Sequence, residues 1–222
     1  MPASLILFTG TGTGIGKTFL AVATVRAFGA AGARVIGFKP VESGVTRNED
    51  TDGYLLDQAS TFHVKPSLPL IQLAVPVSPH VAARAAGTPI DVARVKAAVE
   101  TACASAADAV VVELPGGLFS PLTDTELAVD LVRALTPRAV VLVAPDRLGV
   151  LHEVLATTEA ARARGVKLTH VLLSPARAPD ASSGTNAREL RRFLTLNIID
   201  AAPFGESAPA SAQELVRQLR EG

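Results

Sequence analysis

Residues 9–18 read Thr-Gly-Thr-Gly-Thr-Gly-Ile-Gly-Lys-Thr, and no other stretch constrains the fold as tightly. The apolar run Leu5-Ile6-Leu7-Phe8 precedes it, and an apolar helical pattern over residues 19–28 follows. A strand, a glycine-rich turn and a helix opening on Lys-Thr are the unit that cradles a triphosphate. Glycines let backbone N–H groups turn inward toward phosphate oxygens, and the helix N-terminus adds partial positive charge. In such a loop Lys17 reaches the β- and γ-phosphates and the Thr18 hydroxyl ligates Mg²⁺. The usual spacing is a glycine, four residues, then Gly-Lys-Ser/Thr. Here that first position is Thr11, so the loop fits as Gly10, five residues, then Gly16-Lys17-Thr18.

At 222 residues the chain suits one α/β domain. Hydrophobic residues make up 48% and charged residues 19%, enough for a full core and too apolar for disorder. Lys plus Arg equals Asp plus Glu at 21 each, so no long-range field favours nucleic acid or an anionic membrane. Arg188, Arg191 and Arg192 cluster as a solvated helix face would. The single cysteine, Cys103, excludes an internal disulfide and a multi-cysteine metal site. His63, His80, His152 and His170 show no zinc-type H-x-x-x-H spacing. With no basic signal region and no run of about 18 apolar residues, a soluble cytoplasmic protein is expected.

Apolar runs of strand length alternate with longer helical patterns. Strands are expected at 5–9, 34–38, 109–113, 139–144, 169–173 and 198–201, and helices at 17–30, 91–106, 125–135, 152–164, 186–194 and 210–220. Most of the strands are Val, Ile and Leu without polar alternation, which indicates a parallel sheet covered on both faces. The expected architecture is α/β: residues 1–222 form a single doubly wound, mainly parallel sheet flanked by helices, of P-loop NTPase type. The less regular region 43–89, with its five prolines, reads as an insertion with short helices over the active-site edge.

The carboxyl ends of the neighbouring strands carry the remaining chemistry. Lys39 closes one strand, where a cation meets a phosphate or carboxylate, and Pro40 and Gly44 frame a tight turn around Ser43. Glu113 closes another, the usual place for a carboxylate that holds Mg²⁺ directly or through water. The pair Gly116-Gly117 offers backbone N–H groups to a substrate carboxylate, or simply makes a turn. Asp52 is the best second carboxylate, and its position before Gly53-Tyr54-Leu55 suits a helix N-cap equally well.

These segments in this order (9–18, Lys-Pro-Val-Glu-Ser-Gly at 39–44, Ser78-Pro79-His80, 111–122 and 146–152) resemble the dethiobiotin synthetase family over most of the chain. The resemblance implies ATP-dependent carboxylation of 7,8-diaminopelargonic acid with CO₂. A carbamate forms, ATP phosphorylates it, and ring closure releases ADP and phosphate. It implies that Gly12, Thr13, Gly14, Ile15, Gly16, Lys17, Thr18 and Phe19 bind the nucleotide, and that Ser174 and Pro203 line the base pocket. Lys39, Lys17 and Thr13 would serve the carbamate and γ-phosphate, and Ser43 would orient the diamine. Mg²⁺ would be held by Thr18, Asp52 and Glu113. The substrate carboxylate would meet backbone groups around Gly116, Gly117, Leu118 and Phe119. A partner subunit would contribute Leu148, Gly149, Val150 and His152, so a homodimer is implied.

The chain departs from the family pattern at three places. Gly12 stands where many relatives have Asp, Leu114-Pro115 replaces a Gly-Ala pair and removes one N–H donor, and Ser174 replaces an Asn that reads the base. Base preference is therefore open, and other nucleoside triphosphates are compatible with the site. Competing readings are a ParA- or MinD-like ATPase switch, a related cofactor-precursor synthetase, and a catalytically inert relative. The early loop lysine of the first is absent, and only Cys103 is available as the nucleophile of the second's glutaminase domain.

Overall fold

Strands that are apolar along their whole length need cover on both faces, and the sheet of this chain has it. The computed structural model describes residues 2–47, 49, 51–64, 71–201 and 210–221. Strands β1 (Ser4–Gly10), β2 (Val35–Phe38), β5 (Ala109–Glu113), β6 (Ala139–Pro145), β7 (His170–Ser174) and β8 (Asn197–Ile199) form one sheet in the order β2-β5-β1-β6-β7-β8. Every pairing in it is parallel. The expected α/β class and all six expected strands are present, within three residues at each end.

Side chains alternate between two cores, as a pleated strand requires. Leu7, Val110, Val112 and Leu142 face one core with helices α4 (Val92–Cys103), α5 (Ala128–Leu135) and α6 (Val150–Ala163). Ile6, Phe8, Val111 and Val141 face the other, built with Leu20 and Val25 of α1 (Lys17–Ala30) and Leu215 of α8 (Ala210–Glu221). The register sets Phe8 beside Glu113, Gly10 beside Val143, and Pro145 beside Ser174. The carboxyl ends of β5, β1, β6 and β7 therefore open on one edge, where ligands of doubly wound sheets bind.

The region 43–89 holds more structure than its sequence pattern announces. Its described residues form α2 (Asp52–Ala59) and α3 (Pro79–Ala86), and β4 (Ile71–Leu73) pairs in parallel with β3 (Val41–Ser43). Three-residue strands carry no period to read. Helix α5 starts at Ala128 and not at 125, because Thr123 Oγ1 takes the N–H groups of Thr125 and Glu126 in a turn. Helix α6 starts two residues earlier than expected, capped by Gly149 at φ 94°. The short α7 (Asn186–Leu190) stops before the expected 194.

His170 is 5% exposed at the start of β7. Its Nε2 lies 3.3 Å from Asn197 Nδ2 and its Nδ1 lies 2.8 Å from Thr169 Oγ1. An amide nitrogen only donates, so Nε2 accepts and Nδ1 carries the ring proton of a neutral imidazole. Burial holds its pKa below the ordinary value. The unfolded chain takes up this proton as pH falls through about 6.5, and the folded chain resists it. Stability is thus complete above that pH and declines below it. The urea midpoint is expected to fall between about pH 7 and pH 5, with a smaller fall in His170→Gln. Equal slopes in the two proteins would remove His170 as the source.

Candidate active site

The phosphate-type loop leaves β1 at Gly10 and enters α1 at Lys17. A side chain at Gly10 would put its Cβ 2.6 Å from Ile15 Cδ1 and 3.3 Å from the Gly12 carbonyl, so the first turn packs closely over this glycine. Gly16 caps α1 at φ 89°, a left-handed conformation that suits glycine. Lys17 is buried, and its Nζ donates to the Gly12 carbonyl at 2.8 Å, tying the loop across its own mouth. Burial lowers the Lys17 pKa against the pull of Glu113.

Three strand-end groups meet beside that loop. Lys39, just past β2, donates through Nζ to Glu113 Oε1 at 2.9 Å and pairs with Asp52 Oδ2. The Thr18 hydroxyl donates to the same Glu113 oxygen at 3.0 Å. Glu113 is 1% exposed, and its second oxygen, Oε2, has no partner among the described residues. Burial pushes the Glu113 pKa up, opposed by the attraction of Lys39. Desolvation alone would lower the Lys39 pKa, but the two carboxylates outweigh it and hold the pKa above its ordinary value.

Asp52 reaches this centre because other groups cap its helix. Thr51 is the N-cap of α2 and accepts the Tyr54 N–H at 3.0 Å. The buried Glu42 accepts the N–H groups of Asp52 and Gly53 at 2.7 and 3.1 Å. The Asp52 carboxylate is left to Lys39 and does not cap the helix. A cavity of about 650 Å³ opens over the centre. It is lined by the loop from Thr13 through Gly14, Ile15, Gly16, Lys17 and Thr18 to Phe19, and by Lys39, Ser43, Asp52, Glu113 and Gly116.

The AAA domain family matches residues 5–207. An ATP-dependent dethiobiotin synthetase BioD of Anaeromyxobacter dehalogenans is 40% identical over 213 residues, covering 95% of this chain and 94% of that protein. The enzyme of the same name from Rhodopirellula baltica is 34% identical over 212 residues, covering 89% and 83%. The chain belongs to the dethiobiotin synthetase family. Among solved structures, a ParA family ATPase from Chlorobium tepidum superposes with a TM-score of 0.56 at 18% identity, covering 98% of this chain and 92% of that one. That likeness is one of fold alone.

Several residues expected to touch ligands are otherwise engaged. Ser174 is fully buried and donates its hydroxyl to the Ile15 carbonyl at 2.5 Å. It ties the end of β7 to the phosphate loop and is not among the residues that line the cavity. The Gly117 N–H donates to Ser120 Oγ at 2.8 Å and the Leu118 N–H to the Gly10 carbonyl at 3.0 Å, so neither is free for a substrate carboxylate. Leu118 is itself in the core, with Phe119 packed against it. Val150 is wholly buried within its own subunit, which excludes a side-chain contact across an interface. Leu148, Gly149 and His152 sit on the outer surface at the start of α6, Leu148 being 74% exposed. None of these lines the cavity. Pro203 lies outside the described residues.

Sequence reasoning missed Glu42, Ser120, Glu153 and Arg177. Glu42 and Glu153 act through partners farther along the chain, which no local motif announces, and Ser120 acts through the Gly117 N–H three residues back. Glu153, in the first turn of α6, accepts from Thr11 Oγ1 at 3.0 Å and holds Arg147 at 2.8 Å with its other oxygen. It ties the phosphate loop to the turn around Leu148. Glu153→Ala is expected to cost about 1 kcal/mol of stability and to weaken nucleotide binding, whereas Glu153→Gln keeps the acceptor for Thr11 and most of the affinity. Thermal denaturation and calorimetric titration check this; unchanged binding by the Ala variant would show that Thr11 needs no such anchor.

Proposed function

We propose that this chain makes dethiobiotin from 7,8-diaminopelargonic acid, CO₂ and a nucleoside triphosphate, using the cavity at the carboxyl edge of the sheet. The observation that carries this reading is Lys39, held between Asp52 and Glu113 at the rim of a phosphate loop. Family membership supports the reaction, and the cluster supports where it happens.

The chemistry joins anions. One amine of the diamine attacks CO₂ and loses a proton, giving a carbamate. A carbamate oxygen then attacks the γ-phosphorus and the nucleoside diphosphate leaves. The second amine attacks the carbonyl of the mixed anhydride, phosphate departs, and the cyclic urea closes. The phosphorylation step brings a carbamate anion onto a triphosphate, so fixed cations supply most of the catalysis there. Lys17, released from the Gly12 carbonyl, serves the β- and γ-phosphates. Lys39 serves the carbamate and the moving phosphoryl group, and its raised pKa keeps it charged. Thr13 lies beside the same oxygens, and Ser43 orients the amine. The loop from Gly12 through Phe19 holds the nucleotide.

A Mg²⁺ ion fits the donor set. Among the described residues Glu113 Oε2 is buried without a partner, and an unpaired buried carboxylate oxygen calls for a cation. Glu113, Asp52 and the Thr18 hydroxyl would hold it, and it would neutralise phosphate charge. Mg²⁺ typically takes only one or two carboxylates together with water and phosphate oxygens. The described residues accordingly need no cluster of three acidic or imidazole side chains, and contain none.

A homodimer and a cytoplasmic setting belong to the same reading. The exposed Leu148 and His152 stand outside their own cavity, which supports their serving a second subunit. No described helix is long and apolar enough to cross a membrane.

The test is to mix the protein with diamine, bicarbonate, Mg²⁺ and a panel of nucleoside triphosphates. Equal amounts of dethiobiotin and phosphate are expected; no diamine-dependent phosphate release with any nucleotide would end the reading. Lys39→Met is expected to cut turnover about 10²- to 10³-fold with nucleotide binding largely retained. Loss of nucleotide binding with the fold intact would move Lys39 to the nucleotide. Sedimentation should give a dimer that Leu148→Asp weakens.

A further inference from the structure

Arg177 stands on the segment that follows β7 and lines the same cavity as the phosphate loop. It is exposed, and among the described residues its guanidinium makes no ion pair and no hydrogen bond. The segment is held at both ends. On one side Ser174 is fixed to the Ile15 carbonyl. On the other, the buried Asp146 accepts the Gly184 N–H and the Asn186 amide, each at 2.7 Å, and Asp180 accepts the Leu148 N–H at 2.8 Å. An unpaired arginine is therefore presented to the cavity by anchored backbone.

The charges lining the cavity give that arginine a purpose. They are Lys17, Lys39 and Arg177 against Asp52 and Glu113. Lys39 is already paired with both carboxylates. Without Arg177 the lining side chains sum to zero, a poor host for a ligand with several negative charges. Among the described lining residues, Arg177 is what makes the sum of side-chain charges positive. Guanidinium presents a planar fork of donors that matches phosphate oxygens two at a time and stays charged at any working pH.

We infer that Arg177 binds the phosphate chain of the nucleoside triphosphate. This rests on the nucleotide reading of the loop given above. A contact to phosphate carries no information about the base, so it serves every nucleoside triphosphate alike.

Calorimetric titration of the full chain with MgATP and with MgCTP, without diamine, tests the inference. Arg177→Met is expected to weaken both nucleotides by about tenfold or more, the effect of one charge-assisted hydrogen bond. Arg177→Lys should recover part of the loss for both. The melting temperature of the ligand-free protein should not move, because the side chain has no partner among the described residues to lose. Equal affinities for wild type and Arg177→Met would overturn the inference. A loss confined to one nucleotide would overturn it as well, making Arg177 a reader of the base. Failure of the wild type to bind either nucleotide would instead overturn the nucleotide reading itself, and this inference with it.

Discussion

A carboxylate sunk at the end of an apolar strand is the constraint around which this molecule is arranged. Glu113 is desolvated almost completely, and an unpaired charge at that depth is costly. Lys39 and Thr18 share one of its oxygens, and each comes from a different unit of the fold. Thr18 is delivered by the loop and helix after β1, and Lys39 by the strand on the far side of β5. The parallel register that puts Phe8 beside Glu113 and Phe38 beside Val112 makes that meeting geometrically possible. A sheet order other than β2-β5-β1 would separate the three groups.

The same centre explains why the small additional structure around residues 41–59 exists. Glu113 and then Asp52 hold the buried Lys39 charged against desolvation, and Asp52 is free to do so because its helix is capped by others. Glu42 takes the backbone N–H groups at the start of α2, and Thr51 takes the next. Helix N-termini attract anions, and here Glu42 meets that demand, freeing Asp52 to point at the lysine. The acidic residue inside Lys-Pro-Val-Glu-Ser-Gly is thus a positioning residue that acts through the backbone of another segment.

What the sequence made legible followed from local physics. Unbroken runs of Val, Ile and Leu fixed the six strands because a two-sided sheet needs no polar alternation. Glycines followed by Lys-Thr marked the loop because few other backbones fold around phosphate. Illegible parts were those decided by partners far along the chain. Ser174 looked like a base contact by position, and only the packed structure brings Ile15 to its hydroxyl. Gly117 and Leu118 looked like free donors, yet the close approach of their turn to the phosphate loop engages one of them. A Cβ at Gly117 would lie 3.0 Å from the Gly10 carbonyl, which is the oxygen Leu118 caps. Arg177 lies in a segment with no periodicity at all, and its meaning emerges only from the charges across the cavity.

The departure at Leu114-Pro115 shows how such a local reading is resolved. Proline removes a backbone donor, and by sequence that threatened the turn beneath the substrate. In the fold, Leu114 extends the strand pairing by donating its N–H to the Phe8 carbonyl at 2.9 Å, and its side chain is wholly buried. The turn itself is pinned by the next donors along the chain, Gly117 on Ser120 and Leu118 on Gly10. Gly116 adopts φ 64° and passes close over Ser120, so the turn's shape is set by glycine and serine. No bond in this anchoring calls on an N–H at position 115. The geometry gives a donor at position 115 nothing to do in holding the turn.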